Sequence, residues 1–158
     1  MLKCSTPGPG GATFALAKAV DKACQVGNPS NKITSSTSLF GLTGWILSQK
    51  NEDPSAGTGV IKFSKAPVNN TLFGLWGIAD YAGFTNVLIA LKAGNGFAAF
   101  LLDTNYHYGI WAITKKLSNA TIYYQGAPKP IPLPAAGLLM VGGIGALALL
   151  AARRRKVA

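Results

Sequence analysis

Acidic residues are scarce in this chain. Its 158 residues hold five Asp and Glu against 15 Lys and Arg, a formal net charge of +10. So few carboxylates leave little material for paired acid–base chemistry. Charged residues make up 13% of the composition, about half the usual share. With so little charge, the chain is neither an intrinsically disordered protein nor a charge-laced coiled coil. One histidine, His107, and two cysteines are too few ligands for a metal site. Arginine is absent before Arg153. Nucleic-acid contacts draw on arginine, and no RNP-like or helix-turn-helix signature occurs, so nucleic acid is not an expected partner. There is no Gly-x-Ser-x-Gly elbow and no alternating Asp/Asn calcium loop. Gly8-Pro9-Gly10-Gly11 lacks the Lys-Ser/Thr of a phosphate loop. Glu52 and Asp53 adjoin in a turn-like Asn51–Pro54 context and would point to opposite faces of a strand. The expectation is a protein that is not an enzyme and carries no cofactor.

What the chain does have in quantity is glycine, proline and apolar side chains: 19 Gly, 9 Pro and 49% hydrophobic residues. From Leu133 to Ala152 there is no charge. Twenty helical residues span roughly 30 Å, the thickness of a bilayer's hydrocarbon core. Arg153, Arg154, Arg155 and Lys156 follow at once, and basic clusters flanking a span mark its cytoplasmic side. The expected topology is a single C-terminal transmembrane helix, 133–152, with the remainder outside the cytoplasm. Residues 127–130 open a proline-rich linker, extended and polyproline-like.

Pro132, Leu133, Pro134 and Ala135, the Gly/Leu/Ala-rich span and the terminal basic cluster together resemble the C-terminal sorting signal of PEP-CTERM proteins. The likeness is to the variant whose motif reads VPLPA, with Ile131 in place of its usual Val. The resemblance covers residues 131–158. It implies an exported, surface or extracellular protein of a Gram-negative bacterium, held transiently at the inner membrane and processed by an exosortase-type membrane protease. It also implies association with exopolysaccharide. The recognition motif carried over is Pro132 to Ala135. The start of the chain does not match its end. Phe14 to Ala17 is too short an apolar run for a signal peptide's h-region, so the expectation is that Met1 lies inside a longer reading frame or that a signal was trimmed.

The rest of the chain, 1–126, reads as one exported all-β domain, a β-sandwich or jelly-roll-like fold with a short N-terminal helix. The helix is expected over Phe14 to Cys24, where Leu16, Val20 and Cys24 recur at four-residue spacing. Cys4 and Cys24 are an even pair and suggest a disulfide closing the N-terminal segment 1–37, with two free thiols as the alternative. Expected strands are Leu39 to Gln49, Gly59 to Ser64, Leu72 to Ile78, Thr85 to Lys92, Gly96 to Leu102, Tyr108 to Ile113 and Ala120 to Gln125. Val87 to Asp103 is the clearest hairpin. Val87, Ile89 and Leu91 share one face, as do Phe97, Ala99 and Leu101 on the return strand. Leu88, Ala90, Phe100 and Leu102 fill the other. Such a pair is buried on two sides or covered by another layer.

This middle region is also loosely similar to ectodomains found on PEP-CTERM proteins, through Trp45 to Asp53, Leu91 to Asp103, Gly109-Ile110-Trp111 and Leu117 to Gly126. That likeness implies a shared all-β architecture. Trp45, Trp76 and Trp111 are assigned to three strands. Core packing accounts for them, and the sharper alternative is a platform for sugar rings. Eleven dispersed lysines precede Arg153. They suit ordinary solvated surface, or a protein held near anionic exopolysaccharide by salt-sensitive attraction. A lectin-like module for acidic polysaccharide and a permanently anchored single-pass membrane protein are the competing readings.

Overall fold

A computed structural model describes residues 1–6, 11–25, 33–94 and 96–126, leaving aside the side chains of Cys24 and Gln25. The described chain is all-β, with ten strands: β1 (Leu2–Ser5), β2 (Thr13–Leu16), β3 (Ala19–Gln25), β4 (Ile46–Lys50), β5 (Phe63–Lys65), β6 (Phe73–Ile78), β7 (Asn86–Ala93), β8 (Gly96–Leu102), β9 (Tyr108–Ile113) and β10 (Asn119–Gln125). They form two five-stranded sheets, ordered β1-β2-β9-β6-β5 and β3-β8-β7-β10-β4. Every strand pairing is antiparallel. No helix among the described residues is long and apolar enough to cross a membrane. The expected span 133–152, its basic cluster and the linker lie outside the described residues.

The sheets pack face to face over one apolar core. Its largest fully buried members include Phe14, Leu16, Trp76, Trp111, Ile78, Ile89, Phe100 and Ile122. Burying side chains of this size contributes roughly 1.5–3 kcal/mol each. The hairpin β7–β8 has the expected place at the centre of its sheet. Ala93 pairs with Gly96, and Gly94 takes a φ of 57° that favours glycine. That register corrects the grouping of its faces. Ile89 lies opposite Phe100, so Val87, Ile89 and Leu91 face the core with Ala98, Phe100 and Leu102. Leu88, Ala90, Phe97 and Ala99 point to the other side. There the segment 33–45 covers them, through Ile33, Leu39 and Trp45.

Two local expectations are overturned. The N-terminal helix over Phe14 to Cys24 does not form. The segment is β2, a corner at Lys18 with φ 65°, and β3 in the opposite sheet. The winning pattern is period two: Phe14 and Leu16 are fully buried beside β9, while Val20 is 59% exposed. Non-local pairing of Leu16 with Trp111 outweighs a four-residue spacing that reflected chance. The strand expected over Leu39 to Gln49 is shorter and shifted. Phe40 and Gly41 take positive φ in a tight turn between Leu39 and Leu42, and only Ile46–Lys50 is strand. Trp45 therefore stands in a covering loop, where its Nε1 donates to Leu42 O at 3.2 Å.

Strands β6 and β9 carry the same pattern, Gly-x-Trp-x-Ile: Gly74 to Ile78 and Gly109 to Ile113. Because they run antiparallel, Gly74 faces Trp111 and Trp76 faces Gly109. Each indole lies over the inner surface of a glycine. A methyl group at Gly109 would sit 2.7 Å from Trp76 Nε1, and one at Gly74 3.1 Å from Trp111 Nε1. Trp111 Nε1 donates to Leu75 O at 3.3 Å. Among the described residues, Trp76 Nε1 is the buried side-chain polar atom left without a partner.

The open sides of the sandwich are bridged. Ser48 on β4 donates from Oγ to Ile61 O and accepts from Ile61 N, both at 2.7 Å. Gln49 Oε1 accepts from Phe63 N at 2.7 Å. At the far side β1 contacts β3 across the layers, and Lys22 Nζ donates to Lys3 O. The glycine lock gives the first test. Gly109→Ala should cost about 1–3 kcal/mol by overpacking, with Gly74→Ala milder. Guanidinium unfolding followed by tryptophan fluorescence measures both, and a Gly109→Ala chain as stable as the parent would refute the lock.

Candidate functional site

The alternation that buries Trp76 and Trp111 sends their neighbours to the outer surface of the first sheet. Phe73, Leu75, Tyr108 and Ile110 emerge there, with Leu75 directly opposite Ile110. Phe73 and Tyr108 are each 76% exposed, Leu75 56% and Ile110 52%. With Met1, Gly74, Trp111 and Ala112, three of these line an open apolar depression of about 310 Å³. A contiguous apolar surface on a small domain marks an interaction site more often than a scattered residue does.

Register fixes what surrounds it. Lys3 pairs with Ala15, Ala15 with Ala112 and Ala112 with Phe73, which makes one row across four strands. Four residues along, Tyr108 pairs with Gly77 and Gly77 with Lys65. A Cβ built on Gly77 would lie 3.2 Å from Lys65 Cβ, so Lys65 shares this outer surface. Lys3 and Lys65 are both exposed, at opposite corners of the strip. The five strands of this sheet contain no carboxylate. The site is thus apolar in the middle, basic at two corners, and without negative charge in its strands.

The residues singled out from sequence fall elsewhere. Trp45, Trp76 and Trp111 are buried, with 3%, 0% and 1% of their surface exposed. They pack the core, and the sugar-platform alternative does not hold for them. Cys4 is buried and disulfide-bonded. The backbone of Cys24 lies in β3, which contacts β1, while its side chain lies outside the described residues. Pro132, Leu133, Pro134 and Ala135, and Arg153, Arg154, Arg155 and Lys156, also lie outside them. Sequence reasoning missed Phe73, Leu75, Tyr108 and Ile110 as an exposed set. The repeated Gly-x-Trp-x-Ile pattern was the available signal, because it assigns the intervening positions to one common side.

The remaining polar groups are engaged locally. Asp53 accepts from Ser55 N and Oγ, which holds its carboxyl below the usual range. Asp80 caps Ala82 N, and Asp103 accepts from the backbone and side-chain nitrogens of Asn105. Lys18 Nζ sits 3.8 Å above the Tyr106 ring. His107 packs on Tyr81, with ring centres 5.3 Å apart, and its Nδ1 meets Ile78 O at 3.2 Å. Among the described residues no three His, Cys, Asp or Glu side chains group as a metal site would need. The chain matches no known family model, no curated protein and no solved structure.

Two tests follow. Tyr81 Oη donates to Tyr106 O at 2.6 Å, and burial, then the nearby Asp103 charge, pushes its phenol well above the ordinary value of 10. Tyr123 is raised by burial as well. A phenol whose folded pKa is raised holds its proton more tightly when folded. Its stabilisation is therefore intact below pH 10 and lost as pH climbs above it. Unfolding free energy should fall through the alkaline range, and Tyr81→Phe should flatten that fall. An unchanged slope in the variant would contradict the assignment. Separately, Cys4→Ser should cost about 3 kcal/mol in the chain-entropy account of disulfides. Reductant should destabilise the parent equally and leave the variant unaffected.

Proposed function

We propose that this is an exported, non-enzymatic bacterial surface or extracellular protein, delivered through a C-terminal exosortase-type sorting signal and associated with exopolysaccharide. The observation that carries the reading is the order Pro132-Leu133-Pro134-Ala135, uncharged span, Arg153–Lys156 at the end of an all-β domain. The span and basic cluster stop translocation, which leaves the proline motif beside a membrane protease. The disulfide at Cys4 supports an oxidising, extracytoplasmic compartment. The engagement of Asp53, Asp80 and Asp103 in their own turns supports a role other than acid–base catalysis. We read the sandwich further as jelly-roll-like, because β2 lies beside β9 in one sheet while β3 lies beside β8 in the other. The proline stretch 127–130 serves as linker.

A lectin-like module is the second reading. The exposed strip Phe73, Leu75, Tyr108 and Ile110 favours it, in place of the tryptophans.

The sorting reading is tested by the intact mass of the mature chain in cells with and without the membrane protease. The expected result is loss of the residues after the motif only where the protease is present. A Pro132→Ala, Pro134→Ala chain should keep its full mass in both. A full-length, membrane-held product in both strains would overturn the reading.

A further inference from the structure

We propose that the outer surface of the first sheet binds an acidic polysaccharide chain laid across it. The C–H faces of its sugar rings would rest on Phe73, Leu75, Ile110 and Tyr108, and its carboxylates would meet Lys3 and Lys65. This names a ligand class and a site for the extracytoplasmic protein proposed above, and rests on that reading for the ligand's source.

The geometry selects an extended anionic polymer. The row from Lys3 to Phe73 crosses four strands, about 14 Å, and Tyr108 lies four residues further along, about another 14 Å. Lys3 and Lys65 stand on the first and last strands of the sheet, so the diagonal between them runs about 20–25 Å. A sugar chain offers what this diagonal asks for: flat apolar ring faces alternating with hydroxyls and acidic groups. Tyr108 and Phe73 present amphipathic and apolar rings of the kind that cover such faces. The apolar contact supplies affinity that salt does not screen, and the two lysines supply attraction that it does.

Other occupants fit less well. A second copy of this chain, packed face to face, would set Lys3 and Lys65 against strands with no carboxylate to receive them. An anionic bilayer takes up apolar groups that sink about 5–10 Å below its head groups. Here they stand on β9 and β6, with other strands of the sheet on either side.

The test uses the full-length chain carried in phosphatidylcholine nanodiscs, applied to immobilised polygalacturonate and to neutral dextran. The parent should be retained by polygalacturonate and not by dextran, and less firmly as salt rises. The Phe73→Ser, Tyr108→Ser chain should lose at least about tenfold in affinity at every salt concentration. Lys3→Gln and Lys65→Gln should each lose a few-fold at low salt and converge on the parent at high salt. Lys92→Gln, on the outer side of the opposite sheet where it pairs with Phe97, should match the parent. Leu75→Glu gives a second route, introducing a repelling charge at an exposed position. The near-ultraviolet signal of the buried tryptophans reports that each variant is folded.

If Lys92→Gln weakens retention as much as Lys3→Gln, and the serine and glutamate variants change nothing, binding is diffuse charge attraction and the proposal fails. It also fails if the strip variants abolish binding to phosphatidylglycerol vesicles, or association between two differently tagged copies, while polygalacturonate is not bound. Retention by the purified chain does not depend on where the chain is made or cut. A negative result here leaves the sorting assay intact, and the reverse also holds.

Discussion

Each of two indoles has to lie against a residue with no side chain. That steric demand organises the first sheet. Trp76 meets Gly109 and Trp111 meets Gly74, and the pairs are reciprocal because one pattern occurs on two antiparallel strands. A one-residue slip of either strand would turn that strand's tryptophan to solvent and break both indole–glycine pairs. The register is therefore held by shape as well as by backbone hydrogen bonds. It also determines the outer surface, since Leu75 and Ile110 are committed to that side once their neighbours are committed inward.

The second sheet answers a different problem. Its central strands are apolar on both sides, which a two-layer sandwich does not satisfy by itself. The segment 33–45 provides the missing cover, using a turn at Phe40 and Gly41 and the edge-on contact of Phe40 with Trp45, at 6.2 Å between ring centres. At the margin, loop residues 58 and 59 donate backbone N–H groups to Leu47 and Ser48 along β4. Gly57, at φ 93°, lies so close that a Cβ would fall 2.6 Å from Ser48 O. The exposed edge of the sheet is thereby occupied by the protein's own backbone, a common defence against edge-to-edge pairing.

What sequence reading recovers here depends on how far apart the partners are. β6 to β10 were legible because each is bounded by turn residues, and because β7 and β8 are joined by a local, glycine-containing turn. Phe14 to Cys24 was misread because the pairing that makes β2 a strand lies about a hundred residues away, on β9. Local spacing of Leu16 and Val20 carried no trace of it. Trp45 was misplaced for the opposite reason: an apolar run resembles a strand until positive φ values at Phe40 and Gly41 bend it. The apolar strip went unseen because β6 and β9 are apolar on both sides, so hydrophobicity alone offers no contrast. Only the placement of glycine against tryptophan separates inside from outside. The proposed sorting motif, by comparison, is entirely a matter of linear order and reads without any fold.

Among the described residues, one outer surface of the sandwich is roofed by 33–45, and the other exposes Phe73, Leu75, Tyr108 and Ile110. The molecule consequently has a front and a back. Among the described residues the strip of Phe73, Leu75, Tyr108 and Ile110 lies on one outer surface alone, so a ligand held there would meet the sandwich from one side.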